Sequence, residues 1–559
     1  MALPDKRPAW PARWAALGLP LLLFGLTYAV TGFYYETNDD QIITLLLRGL
    51  TIQPALADLS IYFFGFSQVL AWLYAVLPHI PWYGLLLYGW LLVATMLAFW
   101  LVVRAFPQLK TWQRWALLLG FYLFCWLEHV MWFNYLRVPL LLAGTSYLFL
   151  LCRQRLPRPG WWGPWLLSGV LFGAALSIRP SAAALGLLVT GPAAFFFAGS
   201  PGRRWRAALP LTYLLAIALA FFLWRQGHQG PAARQYQQLD IWKSALLDYG
   251  IYQPQVRTAG DSLAFAAIRH WMLADEQVLH AGFYRRHGSI RLAHVLEQVA
   301  PDKVRALGVT LVRDQFFLLL VNGLLLGLFW VSGAPGRRRM TGYWVYFWLL
   351  LLAIGIGLKL PPRVLTPCLS LFTLVQLLLC PGIKKLPPTA WTRVALAVTV
   401  VAGLGYVAKI AHRAGLQRQR QQTNERFIAE VARVSRGQVL VYSVLPDYFR
   451  SLSPFRNYDF GATTLFPLTG WSTLDPGYRA FYQRQTGCPG FAAAVRALHR
   501  RPHTLWLLEP GFDRFLQAYF REFHGMALPL VLQPGRLKQF PVAVFSPPAS
   551  SGQQKKICE

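Results

Sequence analysis

Between its clusters of arginine and lysine, this chain consists of apolar runs about as long as a bilayer is thick, a pattern that leaves few folds open. A helix needs roughly 17–25 predominantly apolar residues to cross a hydrocarbon core of about 30 Å. Such runs occupy residues 14–33, 83–103, 115–131, 137–152, 162–178, 181–198, 207–224, 314–333, 341–358, 364–380 and 391–410. In lipid every backbone N–H and C=O must be satisfied within the segment, so these runs are expected to be helices. Charged residues make up only 14% of the chain, against about 25% in a soluble domain. This excludes a soluble enzyme and a disordered chain. The same composition excludes a disulfide scaffold, and the six cysteines, at positions 125, 152, 368, 380, 488 and 558, show neither C-x-x-C spacing nor a metal signature. At least four lie in apolar runs and are expected to pack as inert side chains.

The chain carries 54 Lys and Arg against 23 Asp and Glu, a formal net charge of +31. On a soluble protein that excess would suggest nucleic acid. Here the positive residues punctuate the apolar runs, so membrane topology accounts for them and no nucleic-acid partner is expected. Lys6/Arg7/Arg13, Arg104/Lys110/Arg114, Arg153/Arg155/Arg158, Arg203/Arg204/Arg206, Arg337/Arg338/Arg339 and Lys384/Lys385 each sit in a short loop. Short loops rich in Lys and Arg stay cytoplasmic. All six fall on one side only if the apolar stretch 61–77 does not cross the membrane. The pattern therefore predicts about 11 transmembrane helices, with the N-terminus inside and the C-terminus outside.

Three stretches are then external: 34–82, 225–313, and a tail from 411 to 559 long enough for a domain of its own. The expected organisation is a polytopic α-helical membrane domain over 1–410 and an external α/β domain over 411–559. In the tail, 438–443, 504–508 and 542–545 read as strands, and 490–500 and 512–523 as helices. The tail is basic, which would attract an anionic partner. Trp471 and Trp506 suit carbohydrate contact, although single tryptophans in a small domain usually serve its core. In 225–313, Asp240, Asp248, Asp261, Asp275 and Glu276 mingle with five histidines and many aromatics. No two of those histidines have the i, i+4 spacing around an acid that zinc would favour, so solvated helix faces explain them best.

The stretch Tyr34-Tyr35-Glu36-Thr37-Asn38-Asp39-Asp40-Gln41 carries three carboxylates directly after the first span. Acids beside lipid are costly, and topology does not require them here. Helix capping is one cause: Asn38 suits the N-cap of a helix over 40–50, with Asp39 and Asp40 on its positive dipole end. The other is catalysis. The arrangement resembles the GT-C class of membrane glycosyltransferases, such as protein O-mannosyltransferases and lipid A aminoarabinose transferases. In that class an acid pair follows the first transmembrane helix, and juxtamembrane helices continue the loop. The match falls on Asp39-Asp40, the helix expected over 41–50, and the non-crossing 61–77. Asp-Asp departs from the Asp-Glu of many members.

The resemblance implies a hexosyl or pentosyl transfer from a polyprenyl-phosphate donor to a hydroxyl of a glycan, lipid or protein at the outer face. The expected location is the bacterial inner membrane, with membrane lipids as neighbours. It assigns Asp39 as the base or acceptor-orienting acid and Asp40 as its support, the latter also a candidate ligand for a divalent cation (Mg or Mn). A hydroxyl is a poor nucleophile at neutral pH, so a carboxylate must take its proton. The leaving phosphate needs cations. Arg179, between spans 162–178 and 181–198, and Arg363 with Lys359, between spans 341–358 and 364–380, can supply them. Basic side chains at span ends also snorkel to headgroups. Glu36, Glu128 and His129 are candidates for an acceptor pocket, or for anchoring a short interfacial loop. Two other classes share the many spans: an O-antigen polymerase or ligase, and a lipid-glycan transporter or flippase. The acid pair disfavours the former. The near absence of ionisable residues inside the spans disfavours the latter.

Single cysteines introduced at Ala57, Ser67 and Thr423 should react with an impermeant thiol reagent from outside, and those at Arg114 and Lys384 should not. Outside labelling at the last two positions would overturn the topology.

Overall fold

The computed structural model describes residues 10–52, 54–154, 162–197, 201–332, 337–380 and 390–548. Each of the eleven apolar runs is mainly helical in its described part, with breaks at residues 191–192 and at Gln315. Among the described residues, five helices are at least 18 residues long and apolar enough to cross a membrane: Trp82–Ala105, Ala208–His228, Arg337–Gly357, Pro362–Leu379 and Arg393–Val434. A sixth counts if the bent pair Leu292–Asp314 and Phe316–Val331 is a single span. Others are shorter, such as Gly163–Ile178 with 16 residues and Pro180–Thr190 with 11. Eleven crossings therefore remain an expectation of the charge pattern. Lys6, Arg7, Arg155, Arg158, Lys384 and Lys385, which carry part of that pattern, lie outside the described residues.

In the stretch 61–77 the helix is Phe66–Val76, of 11 residues. At 1.5 Å per residue it rises about 16 Å, roughly half of a hydrocarbon core. The last apolar run does not stop near 410. Helix Ala390–Val434 continues for 45 residues. Its second half is charged but rich in Arg, Gln and Ala, with no proline, so solvent preference changes while helix propensity changes little.

The chain divides into two compact units. The first comprises Met1–Glu36, Tyr83–His228 and Asp302–Arg418. In it, Arg137–Arg153 packs against Gly163–Ile178, Pro180–Thr190 and Pro362–Leu379. The second gathers Thr37–Trp82, Gln229–Pro301 and Gln419–Glu559, which overlap the stretches 34–82, 225–313 and 411–559 but differ in their bounds by up to a dozen residues. Compactness thus groups the two loops with the tail.

The second unit is built on a five-stranded sheet in the order Thr464–Pro467, Val439–Tyr442, Thr504–Leu508, Ala543–Ser546, Val531–Leu532. The first three strands are parallel and the last two pair antiparallel. Central strand Thr504–Leu508 is buried along its whole length, as a parallel strand covered on both faces must be. Trp506 is fully buried there, which makes it a core residue rather than a carbohydrate contact. Helices Gly477–Thr486, Phe491–Arg500 and Phe512–His524 complete the α/β module. Cys488 is in a disulfide, whereas Cys125, Cys152, Cys368 and Cys380 are free and buried.

The two loops are bound into this module by their own side chains. Helix Ala259–Arg269 packs on Phe512–His524, and Pro231–Leu247 on the turn Trp471–Leu474. Asp275 is 1% exposed, and its Oδ2 accepts hydrogen bonds from Tyr519 Oη at 3.0 Å and pairs with His524 Nε2 at 2.6 Å. Arg48 forms an ion pair with Asp459 and donates to the Tyr458 carbonyl at 3.0 Å.

Candidate active site

The first helix, Trp10–Thr31, ends where Gly32 takes φ +79°. A Cβ at Gly32 would lie 2.6 Å from Tyr34 Oη, so only glycine permits this turn. Tyr34–Tyr35 then pairs in parallel with Trp132–Phe133, and Glu36 N–H extends the ladder to the Phe133 carbonyl at 2.8 Å. Glu36 Oε2 accepts from Arg137 Nε at 2.8 Å. Arg137, 1% exposed, also donates from Nη1 to His129 Nδ1 at 3.1 Å. A guanidinium has no acceptor, so His129 is neutral with its proton on Nε2. That Nε2 meets Ser370 Oγ at 2.9 Å, and Ser370 donates in turn to the Cys125 carbonyl at 2.6 Å. The helix is π-wound over Tyr122–Trp126, which re-aims this part of the chain.

Glu128 belongs to a second network. Its Oε1 accepts from Tyr406 Oη at 3.3 Å and lies 3.9 Å from Arg413 Nη1. Arg413 also pairs with Asp314 at 3.0 Å, and Lys409 donates to the Asp314 carbonyl at 2.6 Å. Asp314 sits at the 86° bend between Leu292–Asp314 and Phe316–Val331. Glu128 and Asp314 line a cavity of about 10 Å³, room for one water rather than a sugar. Asp314, Lys409 and Arg413 escaped sequence analysis. An acid at the edge of an apolar run and two cations one helical turn apart were the signals available.

The acid pair opens helix Asp39–Leu47 in the second unit. Asn38 stands at the N-cap position, but with helical dihedrals (φ −72°, ψ −22°) and no side-chain capping bond. A capping side chain needs an extended backbone to reach back to the first free N–H groups, so the capping expected of Asn38 does not occur. The carboxylates do stand in the first turn, on the positive end of the helix dipole. The helix ends at Gly49, φ +70°, where a Cβ would press on the backbone N of Ala55 at 3.0 Å.

Asp40 is fully buried and Asp39 half-buried. Asp39 Oδ1 accepts a hydrogen bond from Trp471 Nε1 at 2.9 Å, while its Oδ2 has only a long 3.5 Å contact with Thr37 Oγ1. Thr37 Oγ1 lies 3.4 Å from Asp40 Oδ2. The Trp471 ring meets Tyr62 edge-on at 5.1 Å, and its carbonyl accepts from Tyr236 at 3.4 Å. One carboxylate oxygen is thereby fixed and the other left open. Gln41, 1% exposed, has no hydrogen-bond partner among the described residues at either end of its amide.

Among the cations, Arg179 is the one-residue connection between Gly163–Ile178 and Pro180–Thr190, in extended conformation (φ −155°, ψ 99°). The positive charge of Arg225 acts on it. Arg363 lies in the first turn of Pro362–Leu379, behind Pro361 and Pro362, and its Nε is buried without a hydrogen-bond partner. Lys359 is exposed on the same connection. Lys303, another residue that sequence analysis missed, donates to the Ile356 and Leu358 carbonyls at 2.9 and 3.0 Å.

Among the described residues no group of three or more His, Cys, Asp or Glu gathers as a metal centre would. A magnesium ion takes one or two protein carboxylates together with substrate phosphate and water; here Asp40 is fully buried and Asp39 half-buried.

No protein-family model and no curated protein matches the sequence. Among solved structures, the chain is similar to ArnT from Cupriavidus metallidurans, in a crystal structure bound to undecaprenyl phosphate. The identity is 12%, the match covers 96% of this chain and 98% of that one, and the TM-score is 0.47.

Replacing Arg137 by Met would leave Glu36 without its partner. Breaking a buried pair costs about 3–5 kcal/mol, so the Arg137→Met variant should unfold at clearly lower denaturant, and Glu36→Gln, which keeps an acceptor, should lose less.

Asp475, in the turn beside Trp471, gives a pH dependence. Burial pushes its carboxyl up to about 7, the Gly477 N–H opposes this, and the charge of Asp58 adds to it. The folded state holds this proton more tightly than the unfolded state, whose carboxyl titrates near its ordinary value of 3.8. The stabilisation is therefore full below about pH 4 and is lost as pH rises through 7, on the order of 4 kcal/mol at most. The unfolding midpoint should fall between pH 5 and 8 in the wild type and change less in Asp475→Asn. An equal slope in both would remove Asp475 as the cause.

Proposed function

We propose that the protein is a GT-C-type membrane glycosyltransferase that moves a sugar from a polyprenyl-phosphate donor to an acceptor hydroxyl at the outer face of the membrane. The observation that carries this reading is the state of Asp39: half-buried, one oxygen held by Trp471, the other open. A carboxylate that served only its helix would not need an indole to orient it.

In the proposed reaction Asp39 takes the proton of the acceptor hydroxyl as that oxygen attacks the anomeric carbon of the donor sugar. The bond from that carbon to the phosphate oxygen breaks, and the polyprenyl phosphate leaves with the bonding electrons. Arg363, at the positive end of its helix with an unsatisfied Nε, suits the phosphate, with Lys359 and Arg179 adding charge. Gln41 offers an unpaired amide beside the acids, which a sugar hydroxyl would satisfy. Asp40 supports the loop, and a divalent cation, when bound, would use Asp40 and neutralise phosphate charge. Glu36, Glu128 and His129 hold the chain entering the acid pair and the helix beside it. The engagement of Cys488 in a disulfide fits an external, oxidising compartment for the second unit.

A general base contributes ~10²–10⁴-fold. Asp39→Asn should insert and accumulate normally and lose about that factor in transfer from a polyprenyl-phosphate donor. Asp40→Asn should be impaired less. Trp471→Phe keeps the ring and removes its N–H, so it should lower kcat and leave KM nearly unchanged. Normal transfer by Asp39→Asn would refute the mechanism at its centre.

A further inference from the structure

The second unit contains a cavity of about 270 Å³ at the end of its sheet where strands Val439–Tyr442 and Thr504–Leu508 begin. Its wall is formed by Gln438, by the run Arg500-Arg501-Pro502-His503-Thr504-Leu505, by Gln533 and Arg536, and by Ser546-Pro547-Pro548. Three arginines and a histidine face this space with no carboxylate among the lining residues.

The ordinary reading of exposed arginines is a solvated surface, and one buried group argues against it. Arg500, Arg501 and Arg536, like most arginines of this unit, have no ion pair among the described residues, and Arg501 Nη1 donates to the Gln485 carbonyl at 3.1 Å. The buried group is Thr504. It is 2% exposed, lines the cavity, and its Oγ1 has no hydrogen-bond partner among the described residues. A buried hydroxyl without a partner is costly, and a ligand oxygen would satisfy it. Gln533 Nε2 already donates to Ser546 Oγ at 2.7 Å, so the neighbouring polar groups are held in place. His503 adopts φ +61°, a strained conformation of the kind found at ligand clamps.

We infer that this cavity binds a phosphate-bearing anion. Forked guanidinium groups and a hydroxyl donor match phosphate oxygens, and the volume takes a phosphate with a small substituent. The site is separate from the donor-phosphate cations proposed above, and it stands whether or not the transferase reading does. The phosphate can come from a soluble ester or from a lipid headgroup.

The test uses the full chain in neutral detergent, titrated with inorganic phosphate at constant ionic strength and followed by calorimetry. Saturable binding is expected. The double variant Arg500→Ala/Arg536→Ala should weaken it roughly ten- to a hundredfold, and Thr504→Val roughly two- to tenfold. Arg363→Ala should retain it. A headgroup source is indicated if nanodiscs containing phosphatidic acid abolish binding of free phosphate while phosphatidylcholine nanodiscs do not. A soluble source is indicated if both leave it intact. Absence of saturation, equal affinity in the double variant, or loss only in Arg363→Ala would overturn the assignment.

Discussion

The buried guanidinium of Arg137 decides where the chain goes after its first helix. It is enclosed by protein, so each of its bonds is made where water cannot compete. Glu36 on one side and His129 on the other give it a single geometry, and His129 passes that constraint through Ser370 to a carbonyl of the π-wound turn. The short parallel pairing of Tyr34–Tyr35 with Trp132–Phe133 could slip on its own, since two residues per strand offer little register information. With Glu36 locked, slippage would break an ion pair. The residue that starts the acidic loop is therefore among the most constrained in the first unit, and Asp39 follows it by three positions along the chain.

The same division of labour recurs in the second unit. Helix Asp39–Leu47 supplies the carboxylates, but orientation comes from residues remote in sequence: Trp471 on Asp39, Tyr62 and Tyr236 on Trp471. Lys243, beside Asp240 at 2.6 Å, lies over the Trp271 ring at 5.2 Å, and the Trp271 carbonyl accepts from Gly470 N–H. Each stretch of this unit contributes one side of an aromatic cluster that none could form alone.

What could be read from the sequence follows the range of the interaction. Apolar runs are local, and every one is mainly helical where described. The strand Thr504–Leu508 and the helices Phe491–Arg500 and Phe512–His524 were legible because burial imposes a pattern within a few residues. Edge strand Val531–Leu532, two exposed residues, carries no such pattern, and Thr464–Pro467 is masked by its proline. Helix Gly477–Thr486 begins behind Pro476 with a glycine and was equally hidden. The candidate acids were visible from their position after the first span. Their environment was not: capping by Asn38 was the natural expectation, and an indole 432 residues away cannot be inferred from spacing. Arg137 was noticeable beside His129, but its partner Glu36 lies 101 residues upstream.

That separation of 432 residues between Asp39 and Trp471 sets a condition on biogenesis. A chain emerging from the ribosome exposes its acid pair after the first span and keeps it without its orienting donor through nearly all of synthesis. Only when the last quarter of the polypeptide has been made can the sheet close and Trp471 reach the carboxylate. Contacts of such high sequence separation form late and slowly. The oriented carboxylate is thus a property of the finished chain, and a truncated product that inserts normally would carry Asp39 without the indole that holds it.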